Sequence, residues 1–176
     1  MKLHATSPHT DALSALYDRM ADALYRFALF RVSNRDIAWD ITQECFLKLL
    51  EYQTLGKPVH NERALLYAMA RNAIIDHWRQ RERRQTVDIE KIAFTIADGN
   101  DLHEQVVFTN EVALTLNLVR QLPDRQQEII LLRYVNDLPF ADIATITGKN
   151  IIAVRVEAHR AIKKLKALHA VPHGSR

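Results

Sequence analysis

The sequence predicts an all-α protein made of two small helical domains joined by an acidic linker, the second containing a helix-turn-helix. Three observations carry this. Apolar residues recur at i, i+3 and i+4 along most of the chain, while alternating apolar and polar runs are scarce. Only four glycines and five prolines interrupt the 176 residues. Between two periodic regions, residues 87–111 lose their period, and from Asp88 to Glu111 six acids face one lysine. At 48% hydrophobic the chain can bury a core in each domain.

Residues 1–10 form an N-terminal tail, and the first domain spans 11–86. A helix from about Asp11 to Val32 reaches the turn SNRD, and a second runs from near Ile37 to Tyr52. The stretch QTLGKPVHN has loop composition, and Asn61 caps a third helix reaching about Arg84. The second domain spans 112–170, with helices near 112–121, 124–135, 139–147 and 150–169. Pro123-Asp124, Asn136-Asp137 and Gly148 punctuate them, and residues 171–176 are a tail.

Composition excludes several classes. Cys45 is the single cysteine, so no intramolecular disulfide and no cysteine-cluster metal site can form, which fits a reducing compartment. The N-terminus lacks the apolar core of a signal peptide, and nowhere do 18 apolar residues run together. These features predict a cytoplasmic protein without membrane insertion. The eight histidines show no paired ligand spacing, and there is no phosphate-cradling glycine loop or nucleophile triad. The expectation is a protein that is not an enzyme and holds no metal or cofactor.

LPFADIATITGKNIIAVRVEAHRAIKKLK is the most informative stretch. Gly148 breaks a short helix and Asn150 caps a longer one. On that helix Ile151, Val154, Ala158, Ala161, Ile162, Leu165 and Leu168 share one stripe. Ile152, Arg155, Val156, His159, Arg160 and Lys163 take the other side. From Lys149 to Lys166 six cations face one acid. Such a face suits the major groove, where arginine bonds guanine edges and Ile or Val meets a thymine methyl. A plain helical hairpin with a solvated basic face is the competing reading.

The third helix reads NERALLYAMARNAIIDHWRQRERR, with five arginines against two acids from Arg71 to Arg84. Its wheel puts Leu65, Leu66, Ala68, Met69, Ala70 and Ala73 toward the core, with Asp76 beside them as a structural group. Tyr67, Arg71, Ile74 and Trp78 fall opposite, with Arg81 nearby. Aromatics interleaved with arginines suit melted nucleic acid, where bases stack on rings and guanidiniums meet phosphates. Core packing is the alternative for Trp78. In DITQECFLKL, Asp40, Gln43 and Glu44 lie off the stripe of Ile41 and Cys45. That trio suits solvated surface, half of a metal site, or a docking face.

Together these motifs resemble the extracytoplasmic-function sigma factors, two-domain initiation subunits of bacterial RNA polymerase in the sigma-70 family. AWDITQECFLKL resembles region 2.2, ALLYAMARNAIIDHWRQRERR regions 2.3 and 2.4, and LPDRQQEIILLRYVNDLPFADIATITGKNIIAVRVEAHRAIKKLK region 4. The resemblance covers about residues 15–168, in order. It implies that Asp40, Gln43 and Glu44, with Phe46 as a packing residue, dock on the β′ coiled coil of core polymerase, whose β subunit is a further partner. It implies −10 promoter contacts by Tyr67, Arg71, Asn72, Trp78, Arg79 and Arg81, with His60 and Asn61 in a loop that holds a flipped base. It also implies −35 contacts by Ile152, Arg155, Val156, His159, Arg160 and Lys163, and regulation by an anti-sigma factor.

Five positions depart from the pattern. Trp39 replaces an acid, Leu65 a tryptophan, and Pro139 a capping residue. Val156 and Glu157 replace a small polar residue and an arginine. Two other readings compete. A free-standing helix-turn-helix regulator explains residues 139–169 alone, and a metal-dependent nuclease would use Asp40, Glu44 and Asp76 as ligands.

Overall fold

The computed structural model describes residues 8–88 and 110–170. Most of the acidic segment 87–111, most of the 1–10 tail and all of the 171–176 tail lie outside these. The chain divides into two compact units, Met1–Leu102 and His103–Arg176. Among the described residues there are seven α-helices and no strand.

The first unit is α1 (Pro8–Val32), α2 (Arg35–Thr54) and α3 (Glu62–Asp88), each packed on the other two. Helix α1 stops at Ser33, which sits in the left-handed region at φ 53°. Asn34 then caps α2, its Oδ1 accepting from the Ile37 N–H at 3.0 Å. At the far end of α2, Gly56 takes φ 68° and its N–H donates to the Gln53 carbonyl, while Lys57 N–H reaches back to Tyr52. This paired closure satisfies the orphan carbonyls of the last turn and favours glycine. Asn61 Oδ1 then accepts from Ala64 N–H at 2.9 Å, starting α3. Gln53 Nε2 donates to Glu62 Oε1 at 2.8 Å, pinning the two ends of the α2–α3 loop together.

The core of this unit joins Leu16, Leu24, Phe27, Ala28 and Val32 of α1 to Ile41, Cys45, Phe46 and Leu49 of α2. Helix α3 contributes Ala64, Leu66, Tyr67, Ala70 and Ile74. The rings meet edge to face: Phe27 and Tyr67 lie 5.4 Å apart at 85°. Helix α3 is therefore turned differently from its sequence reading. Tyr67 and Ile74 are core residues, whereas Leu65, Ala68, Met69 and Ala73 are only half-buried. Asp76, expected on the core side, is exposed and lies 3.6 Å from Arg79.

The second unit contains α4 (Asn110–Arg120), α5 (Asp124–Ile130), α6 (Phe140–Thr147) and α7 (Ile151–Ala170). The helix predicted over 124–135 is α-helical only to Ile130, and Leu131–Val135 forms a π-helical turn. Its cause is Asn136, whose backbone N–H and side-chain Nδ2 both donate to the Leu131 carbonyl, at 2.9 and 3.0 Å. The five-residue reach of that bond widens the turn. Helix α6 ends as α2 does: Gly148 at φ 66° donates to Thr145, and Lys149 N–H donates to Ala144. Asn150 Oδ1 accepts from Ile152 and Ala153 N–H, at 2.7 and 3.3 Å, and α7 begins at once. Leu138, Ile143 and Ile146 meet Val154, Ala158 and Ala161 beneath this turn, in a core shared with Val119, Leu122, Ile129 and Leu132.

Truncating Tyr67 to alanine is expected to destabilise the first unit by roughly 3–5 kcal/mol, the range for emptying a buried aromatic site. Denaturant unfolding checks this, and an unshifted midpoint would return Tyr67 to the surface. Asn150→Ala should cost about 1 kcal/mol through loss of the α7 cap. The readout is the unfolding transition of the second unit, which an irrelevant cap would leave unmoved.

Candidate nucleic-acid and partner-binding surfaces

Burying the Ile41, Cys45 and Leu49 stripe of α2 turns Asp40, Gln43 and Glu44 outward, and all three are exposed. Glu44 Oε1 lies 2.6 Å from Lys48 Nζ, so half of the carboxylate pair already has a cation. That hydrogen bond to Glu44 holds the Lys48 ammonium above its usual range. Phe46 is not on this face: it is 6% exposed, with its ring 4.7 Å from that of Tyr17. Phe46, expected as the packing residue of this motif, packs inside the unit and supports α2 from behind. In its place the outward sector carries Trp39, Leu47 and Leu50, at 42%, 61% and 38% exposure. Their spacing with Gln43, opposite the buried stripe, is the signal the sequence reading passed over. Trp39 leans edge-on against Tyr25, with centroids 5.7 Å apart.

A groove of about 520 Å³ runs between α2 and α3, bordered by Asp40, Glu44 and Lys48 on one side and Asn72, Asp76, His77 and Gln80 on the other. It brings the three carboxylates Asp40, Glu44 and Asp76 to one place. Even so, among the described residues no three acid, histidine or cysteine side chains are arranged to hold a metal ion. Burial, then the charges of Arg81 and Arg84, keep the His77 imidazole below its usual range, so it is neutral at pH 7.

The residues predicted to meet melted DNA divide into groups. Tyr67 is fully buried and cannot stack on a base, which corrects its assignment; burial pushes its phenol up to about 12. Arg71 is half-buried, and Asn72 is exposed on the α2 side of α3 with Arg79 two turns along. Trp78 is half-buried between His77, edge-on at 5.5 Å, and Arg81, whose guanidinium lies 5.4 Å from the indole centroid. Trp78 and Arg81 thus form one aromatic–cation unit. His60 and Asn61 border a separate hollow of about 470 Å³ with Leu16, Arg19, Met20 and Val59. The Asn61 oxygen already serves as the α3 cap.

On α7 the outward face falls where the sequence reading expected, while the buried stripe is narrower, with Ile151, Ile162, Leu165 and Leu168 only half-buried. Val154, Ala158 and Ala161 are buried, while Ile152, Arg155, Val156, His159, Arg160 and Lys163 are all exposed. Glu157, one of the two departures on this helix, faces α5. Its Oε2 accepts from Gln126 Nε2 at 3.3 Å, and its Oε1 lies 3.5 Å from Arg160. The carboxylate is thereby held at the edge of the basic face.

Comparison with known proteins matches both units. Residues 16–84 match the family described as Sigma-70 region 2, and residues 113–165 match Sigma-70, region 4. The chain is 31% identical over 171 residues to the ECF RNA polymerase sigma factor BldN of Streptomyces coelicolor. That alignment covers 93% of this chain and 62% of BldN. It is 30% identical over 142 residues to the RNA polymerase sigma factor SigV of Bacillus subtilis, covering 81% of each. In fold it is similar to the sigma factor RpoE of Bartonella quintana, solved with the anti-sigma factor NepR. The TM-score is 0.74 at 22% identity, over 93% of this chain and 99% of that one. The chain belongs to the extracytoplasmic-function sigma factors of the sigma-70 family.

Proposed function

We propose that the chain is an alternative sigma factor: it binds core RNA polymerase and directs it to promoters with cognate −10 and −35 elements. The observation that carries this is the co-occurrence in one chain of an exposed basic face on α7 and an exposed face of acids, amide and large apolar side chains on α2. A stand-alone regulator would need the first and leave the second without purpose. The protein acts without chemistry of its own, in the cytoplasm where polymerase and promoters meet. Among the described residues no helix is long and apolar enough to cross a membrane.

In this reading Asp40 and Gln43 give the α2 face its polar register, and Trp39, Leu47 and Leu50 supply apolar contact to the β′ coiled coil. The β subunit is a second contact. Glu44 contributes after exchanging Lys48 for a cation of the partner. The exposed half of α3, through Asn72, Trp78, Arg79 and Arg81 with Arg71 beside them, meets the −10 element. The hollow at His60 and Asn61 receives a base drawn from the stack, a step costing a few kcal/mol. On α7, Ile152 and Val156 touch base edges beside Arg155 and His159, while Arg160 and Lys163 anchor phosphates. Phosphate contacts set register and base contacts set sequence. An anti-sigma factor is a natural regulator: RpoE of B. quintana was solved with NepR, and the similarly folded CnrH with the cytosolic domain of CnrY.

The double substitution Asp40→Ala with Glu44→Ala should weaken core-polymerase binding roughly tenfold, mainly through slower association, with helicity unchanged. Binding kinetics and run-off transcription with core polymerase test it together. A double mutant that binds and transcribes like wild type would sink the docking assignment. Arg160→Ala or Lys163→Ala should lower the slope of log K against log salt by about 1 for −35 duplex DNA. An unchanged slope in both would mean that α7 does not present this face to DNA.

A further inference from the structure

Phe140 opens α6 directly behind Pro139, whose backbone is extended at ψ 151°. Its half-buried ring carries two guanidiniums: Arg133 lies 5.0 Å from the centroid and Arg155 5.9 Å. The two cations are held differently. Arg133 donates to the Leu138 carbonyl at 3.1 Å and lies 3.6 Å from Asp137, so its own loop fixes it. For Arg155, among the described residues, no acid or carbonyl holds the guanidinium, and the Phe140 ring is its recorded contact.

On α7, Arg155 follows the buried Val154 and precedes the exposed Val156, at the edge where the buried stripe meets the reading face. A long side chain at such an edge samples orientations on both sides. Recognition of a guanine edge needs the guanidinium plane fixed, because two parallel donors must meet two acceptors. A ring face within about 6 Å attracts the cation and narrows its orientations before DNA arrives.

We propose that Phe140 is a positioning residue that aims Arg155 at a G·C pair of the −35 duplex, so that an apolar side chain on α6 sets a base preference read by α7. The inference rests on the reading of α7 as the −35 recognition helix. Phenylalanine has no hydroxyl to bond a phosphate, so the ring acts through the arginine. Arg133, anchored on the same ring, keeps the aromatic in place when Arg155 moves onto DNA.

The test uses the full chain and a short duplex enriched from a randomised pool by that chain, compared with single base-pair changes at every position. Arg155→Ala should flatten preference at one pair. Phe140→Leu, which keeps an apolar side chain against α7 but removes the ring, should flatten the same pair by about two- to fivefold. Its salt slope and Tm should match wild type. Phe140→Tyr, which keeps the ring, should retain the preference, and Phe140→Leu should add nothing in an Arg155→Ala background. Wild-type preference in Phe140→Leu, loss of preference in Phe140→Tyr, or an additive double mutant would each overturn the positioning role. If Arg155→Ala alone changed no preference, the reading of α7 at this residue would have failed first, and the proposal with it.

Discussion

The edge-on contact of Tyr67 with Phe27 holds the first unit in its observed arrangement, because it fixes the rotation of α3 about its own axis. A helix has only one stripe to bury, and a ring of this size against α1 decides which one it is. Once Tyr67, Ala70 and Ile74 point inward, Asn72 and Asp76 must turn toward α2. They complete a groove whose other wall carries Asp40 and Glu44. Trp78 and Arg81 then point away from that groove. A hydrophobic choice made in the core thus decides which side chains of α3 line the groove and which face solvent elsewhere.

The second unit solves a related problem with backbone instead of rings. Gly148 in the left-handed region ends α6, and Asn150 starts α7 two residues later, leaving little chain through which the two helices can shift. Ile143 and Ile146 against Val154, Ala158 and Ala161 then fix the rotation of α7. Within that frame, Glu157 reads as a support for the basic face. Gln126 and Arg160 both engage the carboxylate, so an acid stands beside cations with its charge already partnered.

How much of this was legible in the sequence differs between two helices of similar length. The buried stripe and exposed face of α7 could be read because its apolar and cationic residues fall on opposite sides, so only one rotation hides the former and solvates the latter. Helix α3 is apolar on both sides through its first half: small residues and methionine on one, tyrosine and isoleucine on the other. Period alone does not choose between them, and the ring-lined side won because it fills more volume against Phe27. The caps at Asn61 and Asn150 and the stop at Gly148 were legible, since each depends on one side chain or its absence. The π-helical turn was not, because it arises from Asn136 folding back on Leu131, a bond with no sequence period. On α2 the carboxylates and amide were legible and Trp39 stood out as a departure, while Leu47 and Leu50, on the same side, carried no signal of their own.

Cys45 lies on the buried stripe of α2 at 1% exposure, and burial, helped by nearby Glu44, pushes its thiol up to about 12. A thiol reacts as the thiolate, so this one is chemically silent while the first unit is closed. As the single cysteine, it gives the chain a built-in clock for local opening. The rate at which a thiol reagent modifies it measures how often α2 lifts from its neighbours, and a partner that clamps α2 would slow that rate without touching the sulfur.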